Sequence, residues 1–191
     1  MRAIRFIAAC LMSVSLTIPI SAQNASSVAP SEYLIKAGFT YNFAKLMQWP
    51  DKAFPQPDSP IVIGILGADS FGNTLHEVLT GKTVNGRSFV VKQLKLGSDL
   101  RNCNIVFVSA SETAHLEEIF RLIRGLPILT IGETPNFARH GGIINFILED
   151  DKVHFEVNVE AAKQADIAIS SRLLALARIV PQNAAGGSKA P

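Results

Sequence analysis

The chain has 191 residues, of which 48% are hydrophobic, and it carries 18 lysine and arginine residues against 16 aspartate and glutamate residues. This length and apolar content suit one domain with a sizeable core. Two of the positive charges, Arg2 and Arg5, lie in a segment predicted to be removed, so the formal net charge falls from +2 for the full chain to 0 for the mature protein. A neutral protein has no electrostatic case for binding nucleic acid or an anionic membrane surface.

Residues 1–22 are predicted to be a secretory signal peptide. Arg2 and Arg5 form a short positive region, residues 6–20 are almost wholly apolar, and Ser21-Ala22 supplies small residues for cleavage. The apolar run is short for spanning a membrane, and no second run of that length follows. Removal of 22 of the 191 residues leaves 169, in which Cys103 is the only cysteine, so that no internal disulfide is expected.

The first predicted helix follows a polar, small-residue leader at residues 23–30. It begins near Ser31 and carries an apolar stripe, with spacings of four, four and three, at Ile35, Phe39, Phe43 and Leu46. Proline removes a backbone donor and pushes the preceding residue out of helical geometry, so this helix is expected to stop here, with Trp49 just after its end and Pro50 beyond it.

Alternating strands and helices are predicted from residue 61 onward, after a proline-rich loop at residues 51–60. The strands are expected at residues 61–66, 88–94, 104–108 and 127–131. Asp69 or Ser70 is predicted to cap a helix that continues through Leu79, and a capping-box pattern at residues 109–112 precedes another helix. Strands separated by such helices predict a mostly parallel sheet covered on both faces.

The last third of the domain has a different pattern. Residues 143–148 and 153–157 are predicted strands joined by a short polar link, which indicates an antiparallel hairpin at one edge of the sheet. Asn158 is expected to cap a short helix, and Ser170 or Ser171 to open a final helix that ends near Val180. The domain is thus predicted at residues 31–180, followed by a disordered tail at residues 181–191.

Sequence patterns for catalysis and metal binding are missing. Neither G-x-G-x-x-G nor the Walker pattern occurs, the four histidines show no close pairing, and no G-x-S-x-G is present. The turn at residues 67–72 (GADSFG) supports only a remote alternative, an unrecognised hydrolase that uses Ser70 or Asp69. No cofactor and no metal are expected, and the chain is predicted not to be an enzyme.

An aromatic cluster near the end of the first helix is the strongest candidate site. Phe39 and Phe43 lie on the apolar stripe, whereas Tyr41 lies off it and Trp49 follows the helix. A tyrosine or tryptophan with one polar edge suits a half-exposed anchor for a partner, but a tryptophan that packs against the sheet is an equal alternative.

Five blocks of sequence, in order, resemble the YfiR-like family of periplasmic proteins. They are residues 32–50 (EYLIKAGFTYNFAKLMQWP), 81–87 (GKTVNGR), 103–109 (CNIVFVS), 141–158 (GGIINFILEDDKVHFEVN) and 169–180 (ISSRLLALARIV). The resemblance covers nearly all of the chain after the signal peptide, and none of the blocks is a catalytic motif.

The resemblance implies a Rossmann-like three-layer α/β sandwich that is exported to the periplasm, in a family whose members are often homodimers. It implies a non-catalytic regulator that restrains an inner-membrane diguanylate cyclase by binding its periplasmic domain, thereby controlling cyclic di-GMP and biofilm growth; a sensor kinase is the alternative partner. Cys103 matches one of two paired cysteines in the relatives. This chain lacks the second cysteine of the pair, so a disulfide switch is not expected.

We therefore predict that Tyr41, Lys45, Trp49 and Pro50 belong to a surface that binds a partner or ligand. The competing hypothesis is a periplasmic small-molecule binding protein, in which aromatic side chains and strand-end loops line a pocket.

Overall fold

The computed structural model describes residues 30–181, with the side chains of the first two of these left aside. The predicted signal peptide at residues 1–22 lies outside the described residues, as do all but the last residue of the predicted leader and all but the first residue of the predicted tail. No helix within residues 30–181 is both long enough and apolar enough to cross a membrane.

Helices and strands alternate through the described chain. The helices are α1 (Pro30–Leu46), α2 (Thr74–Leu79), α3 (Leu116–Ile123), α4 (Val159–Gln164) and α5 (Ser171–Leu174). The strands are β1 (Met47–Gln48), β2 (Ile61–Leu66), β3 (Phe89–Leu94), β4 (Ile105–Val108), β5 (Leu129–Gly132), β6 (Ile144–Glu149), β7 (Lys152–Val157), β8 (Ala168–Ile169) and β9 (Arg178–Ile179).

Seven of these strands form one twisted sheet in the order β3-β2-β4-β5-β6-β7-β9. The first five strands in this order are parallel to one another, and β7 pairs with β6 in the antiparallel direction. The predicted α/β fold, with a mostly parallel sheet and an antiparallel hairpin near one edge, is confirmed. The chain order changes direction between β2 and β4, which is the switch point of a doubly wound sheet.

The hairpin closes through a two-residue turn. Asp150 and Asp151 both have positive φ, at 49° and 58°, and these values fit the turn type that matches the twist of paired strands. The register places Asn145 opposite Glu156 and Phe146 opposite Phe155, so one face of the hairpin is polar and the other aromatic.

The end of the chain differs from the prediction. The final helix stops at Leu174, not near Val180, and Arg178–Ile179 forms a strand parallel to β7. The Arg178 guanidinium donates two hydrogen bonds to the Glu149 carboxylate, at 2.8 and 2.9 Å, which holds this edge strand beside the hairpin.

The end of α1 also differs from the prediction. The helix stops at Leu46, three residues before Trp49, because Met47 and Gln48 pair with Ile169 and Ala168 in a separate two-stranded antiparallel sheet. This pairing with a distant segment takes Met47 and Gln48 out of the helix, which ends where its apolar stripe ends.

Each face of the large sheet carries a hydrophobic core. On one face, Phe43 of α1 is fully buried, and its ring centroid lies 5.6 Å from that of Phe146 and 5.0 Å from that of Phe155. Phe39 is half-buried beside them, whereas Ile35, predicted on the same stripe, is 45% exposed, because the buried face of α1 also includes Ala37, Thr40 and Ala44.

The opposite face is covered by α3 and the loop that follows β5. Phe137 in this loop is fully buried, and its ring fills the space that Gly132 and Gly142 leave by having no side chain. A methyl group at Gly142 would therefore collide with the Phe137 ring.

Candidate functional site

Tyr41 and Lys45 come together at the carboxyl-terminal end of α1, as their spacing of four residues requires. The half-buried Tyr41 ring packs edge-on against Phe89, with 5.9 Å between the ring centroids. The Lys45 ammonium lies 5.4 Å from the centroid of the Tyr41 ring, and that of Lys82 lies 4.7 Å from it. Each contact of this kind contributes about 0.5–1 kcal/mol at an exposed site.

Trp49 is half-buried and lines a groove. Its ring lies edge-on to Phe54, with 6.3 Å between centroids, and its indole Nε1 is buried without an acceptor among the described residues. The groove has a volume of about 440 Å³ and is bordered by Pro50, Lys163 and Asp166. One part of the Trp49 ring therefore packs inward, and another part lines an open groove.

Arg87 links two aromatic pairs, that of Trp49 with Phe54 and that of Tyr41 with Phe89. The Arg87 guanidinium lies 3.8 Å above the Phe54 ring, and it donates hydrogen bonds to the backbone oxygens of Gln56 and Ser59 at 3.1 and 2.7 Å. Arg87 thus fixes the proline-rich loop against the start of β3, where Phe89 contacts Tyr41.

We call this region the amino-edge surface, because it lies where the parallel strands β2 and β3 begin. Its members are Tyr41, Lys45, Trp49, Pro50, Phe54, Lys82, Arg87 and Phe89. Among the ion pairs of the described residues, none involves its three cations, whereas the neighbouring Lys52 pairs with Asp166 at 2.7 Å. The surface therefore presents aromatic rings together with uncompensated positive charge.

The sequence analysis predicted Tyr41, Lys45, Trp49 and Pro50 as site residues but did not include the other four residues of this surface. Val84 and Arg87 close a tight turn in which Asn85 and Gly86 have positive φ, at 51° and 80°, and Lys82 lies two residues before this turn. The Asn-Gly pair is the strongest short-range signal for such a turn, and it would have predicted that the flanking cations project from one loop.

The opposite edge of the sheet contains the switch point, where doubly wound proteins commonly bind ligands. Here this position is filled by protein. Gly67, just after the end of β2, has φ of 94°. The Ser111 hydroxyl occupies the space that a side chain at Gly67 would take, and it accepts a hydrogen bond from the Ala68 N–H at 2.9 Å. The Glu112 side chain adjoins the same space.

A buried ionic network covers the same edge. The Lys36 ammonium lies 2.6 Å from Glu32 and 2.7 Å from Glu133, and the Tyr33 hydroxyl donates to Glu133 at 3.1 Å. Burial lowers the pKa of Lys36, but its hydrogen bonds to Glu133 and Glu32 outweigh burial and raise the pKa above its ordinary value. Burial raises the pKa of Tyr33, although a hydrogen bond with Ser70 opposes this.

Asp69 and Ser70, the residues of the hydrolase alternative, have structural partners. The Asp69 carboxylate accepts hydrogen bonds from the backbone N–H groups of Phe71 and Gly72, at 2.9 and 3.1 Å. The helix predicted to start at Asp69 or Ser70 begins only at Thr74, since Asp69 caps the preceding turn instead. Within residues 30–181, no group of three or more His, Cys, Asp or Glu side chains is placed to hold a metal ion.

Comparison with known protein families agrees with the quoted sequence blocks. A sequence model of the YfiR/HmsC-like family matches residues 33–178, which is 146 of the 191 residues. No curated protein matches the chain. Since the family model covers well over half of the sequence, the chain belongs to the YfiR/HmsC-like family, and this membership suggests a periplasmic regulator of signalling rather than a catalyst.

Proposed function

We propose that this protein is a non-catalytic periplasmic regulator that binds and restrains the periplasmic sensory domain of an inner-membrane signalling protein. The first candidate partner is a diguanylate cyclase, so that release of the regulator would raise cyclic di-GMP and favour biofilm growth; a sensor kinase is the alternative. We further propose that the amino-edge surface makes the contact.

One observation carries the choice of surface: half-exposed aromatic rings lie beside three cations that have no ion-pair partner among the described residues. Tryptophan, tyrosine and arginine are enriched among the residues that dominate binding energy at protein interfaces. The buried Nε1 of Trp49 adds a donor that lacks an acceptor, and a small rearrangement on binding would offer it one. An acidic, partly apolar patch on the sensory domain would complement this surface.

The cellular concentration of cyclic di-GMP tests the proposal. We expect the concentration to rise when the protein is deleted and to return to its original value when the protein is restored. A variant with Trp49→Ala and Lys82→Glu should fail to restore it, because it lacks the aromatic anchor and reverses one charge of the surface. Lys95→Glu is the matched control, since Lys95 is exposed and follows β3 at the opposite edge of the sheet.

Two results would contradict the proposal separately. An unchanged cyclic di-GMP concentration in the deletion strain would exclude the cyclase as partner. Full restoration by the double variant, at an equal amount of folded protein, would exclude the amino-edge surface.

The groove beside Trp49 supports a second candidate function, a small-molecule binding protein. Its volume of about 440 Å³ lies within the range of ordinary ligand pockets, which is roughly 300–1,000 Å³. Thermal unfolding in the presence of nucleotides and aromatic amino acids tests this function, because a specific ligand raises the melting temperature. A ligand effect that persists in Trp49→Ala would rule out this groove.

A further inference from the structure

A second groove lies on the other side of α4 from Trp49. It has a volume of about 1440 Å³ and runs between α3, the loop before β6 and α4. Lys163 borders the Trp49 groove, whereas the next two residues, Gln164 and Ala165, border the second groove. We call it the α3–α4 groove. It is larger than the roughly 300–1,000 Å³ of typical small-molecule pockets, which favours a polypeptide segment as its occupant.

The lining of the α3–α4 groove is apolar along much of its length. Phe120 and Leu126 are half-buried, and Ile123, Ile128 and Ile143 are buried beneath them. Partly exposed rings and branched side chains of this kind provide contact area for apolar side chains of a bound segment.

Three arginines line the same groove. Arg121 lies in the last turn of α3, Arg124 follows directly, and Arg139 belongs to the loop that enters β6. Because α3 returns from the end of β4 to the start of β5, Arg121 and Arg124 lie at the end of the groove nearest the start of β5, and Arg139 lines the other wall. No ion pair joins any of them to a carboxylate of the described residues.

The two acidic side chains of the lining lie toward the other end. Glu117 and Glu118 belong to the first turn of α3, where the helix dipole favours negative charge. Arg124 lies six residues beyond Glu118, about 9 Å along the helix direction, whereas Arg121 lies only three residues beyond it, so the carboxylates offset the charge of Arg121 more than that of Arg124.

We propose that the α3–α4 groove docks an acidic, amphipathic segment of a partner protein. Carboxylates at one end of the segment pair with the three arginines, and its apolar side chains lie on Phe120 and Leu126. Guanidinium groups suit this role because their planar donors bind carboxylates in a bidentate manner. The inference rests on the proposed function as a protein-binding regulator, and it adds a docking site separate from the amino-edge surface.

A random peptide library of about twelve residues, displayed on phage and selected against the purified protein, tests the inference without the membrane partner. We expect the selected peptides to combine Asp or Glu at one end with large apolar residues. We expect Arg121→Glu with Arg124→Glu to weaken their binding at least about tenfold, and peptides with Lys in place of the acids to prefer this charge-reversed protein. Lys92→Glu with Lys95→Glu is the matched control, since both lysines are exposed on or beside the distant strand β3.

Three results would overturn the docking site: no selected peptides, peptides without acidic enrichment, or acidic peptides whose affinity survives the charge reversal. Both substituted arginines are exposed, and the thermal unfolding of the variant shows whether it is folded. Arg139→Gln on the other wall provides an independent variant, expected to weaken binding in the same direction. The peptide result does not depend on cyclic di-GMP, so failure of the docking site and failure of the proposed function are distinguishable.

Discussion

Replacing Lys36 by methionine should destabilise the protein strongly, because the ammonium group of Lys36 is the cation of a buried network. Lys36 is 5% exposed, and its Nζ lies 2.7 Å from Glu133 and 2.6 Å from Glu32. The substitution keeps most of the side-chain volume but leaves two carboxylates, with side chains 9% and 15% exposed, without their cation.

The expected loss follows from this burial. Breaking a buried ion pair by removing one partner costs about 3–5 kcal/mol. We expect the lower end, about 3 kcal/mol, because the Tyr33 hydroxyl still donates to Glu133 and Glu32 keeps some contact with solvent. For a domain of this size, each kcal/mol lowers the melting temperature by about 2–4 °C, so the expected decrease is about 6–12 °C.

Chemical denaturation followed by circular dichroism measures this loss, and Lys52→Met is its matched control. Lys52 also lies 2.7 Å from a carboxylate, that of Asp166, but the two side chains are 63% and 62% exposed. Exposed pairs contribute about 0–1 kcal/mol. If Lys36→Met costs no more than Lys52→Met, the argument that burial makes the Lys36 network stabilising is wrong.

The pH dependence of the wild-type protein provides a further check on the network. The pKa of Lys36 is raised in the folded protein, so its contribution to the free energy of unfolding is fully present below the unfolded pKa of about 10.4. The contribution is lost as the pH rises through the higher folded pKa. Lys36→Met should therefore lack this part of the alkaline loss of stability.

Three further substitutions and one labelling reaction test the local structure. Gly142→Ala should lower the free energy of unfolding by about 1–3 kcal/mol, because its methyl group would collide with the Phe137 ring. Gly38→Ala, in open space within α1, should raise the free energy of unfolding by up to about 1 kcal/mol. Equal effects of the two substitutions in urea unfolding would contradict this packing. Asp151→Gly should stabilise the protein by up to about 1 kcal/mol, because relief of the left-handed conformation at φ of 58° outweighs the entropy cost of glycine, and a lower melting temperature would refute this explanation. Burial raises the pKa of the Cys103 thiol, so iodoacetamide should label the native protein slowly at neutral pH and rapidly in denaturant; equal rates would show that the thiol is accessible.

The parts of the fold that depend on local sequence were predictable. The buried strands β2 and β4 are continuous apolar runs, and Asn158 accepts a hydrogen bond from the Ala161 N–H at 2.9 Å, as a helix cap should. The short strands β1, β8 and β9 were not predictable, because two residues carry no periodic pattern and each strand exists only through pairing with a distant segment.

Only the part of the candidate site that depends on local sequence was predictable. Tyr41 and Lys45 are one helical turn apart, so the sequence alone places them together. Lys82 and Arg87 reach the same surface from a turn some forty residues later, and their position depends on how α2 and β3 pack beside α1. Such contacts come from the tertiary fold, which no local pattern encodes.

Site-specific photocrosslinking in living cells tests most directly whether the amino-edge surface binds a membrane signalling protein. A photoreactive amino acid at Lys45, which is exposed beside Tyr41, should crosslink to one inner-membrane protein that has a periplasmic sensory domain and a cytoplasmic signalling domain. The same amino acid at Lys95, on the opposite edge of the sheet, should give no such product, and Trp49→Ala should abolish the product from Lys45. The central claim is contradicted if Lys45 and Lys95 yield the same products, or if the Lys45 product persists in Trp49→Ala.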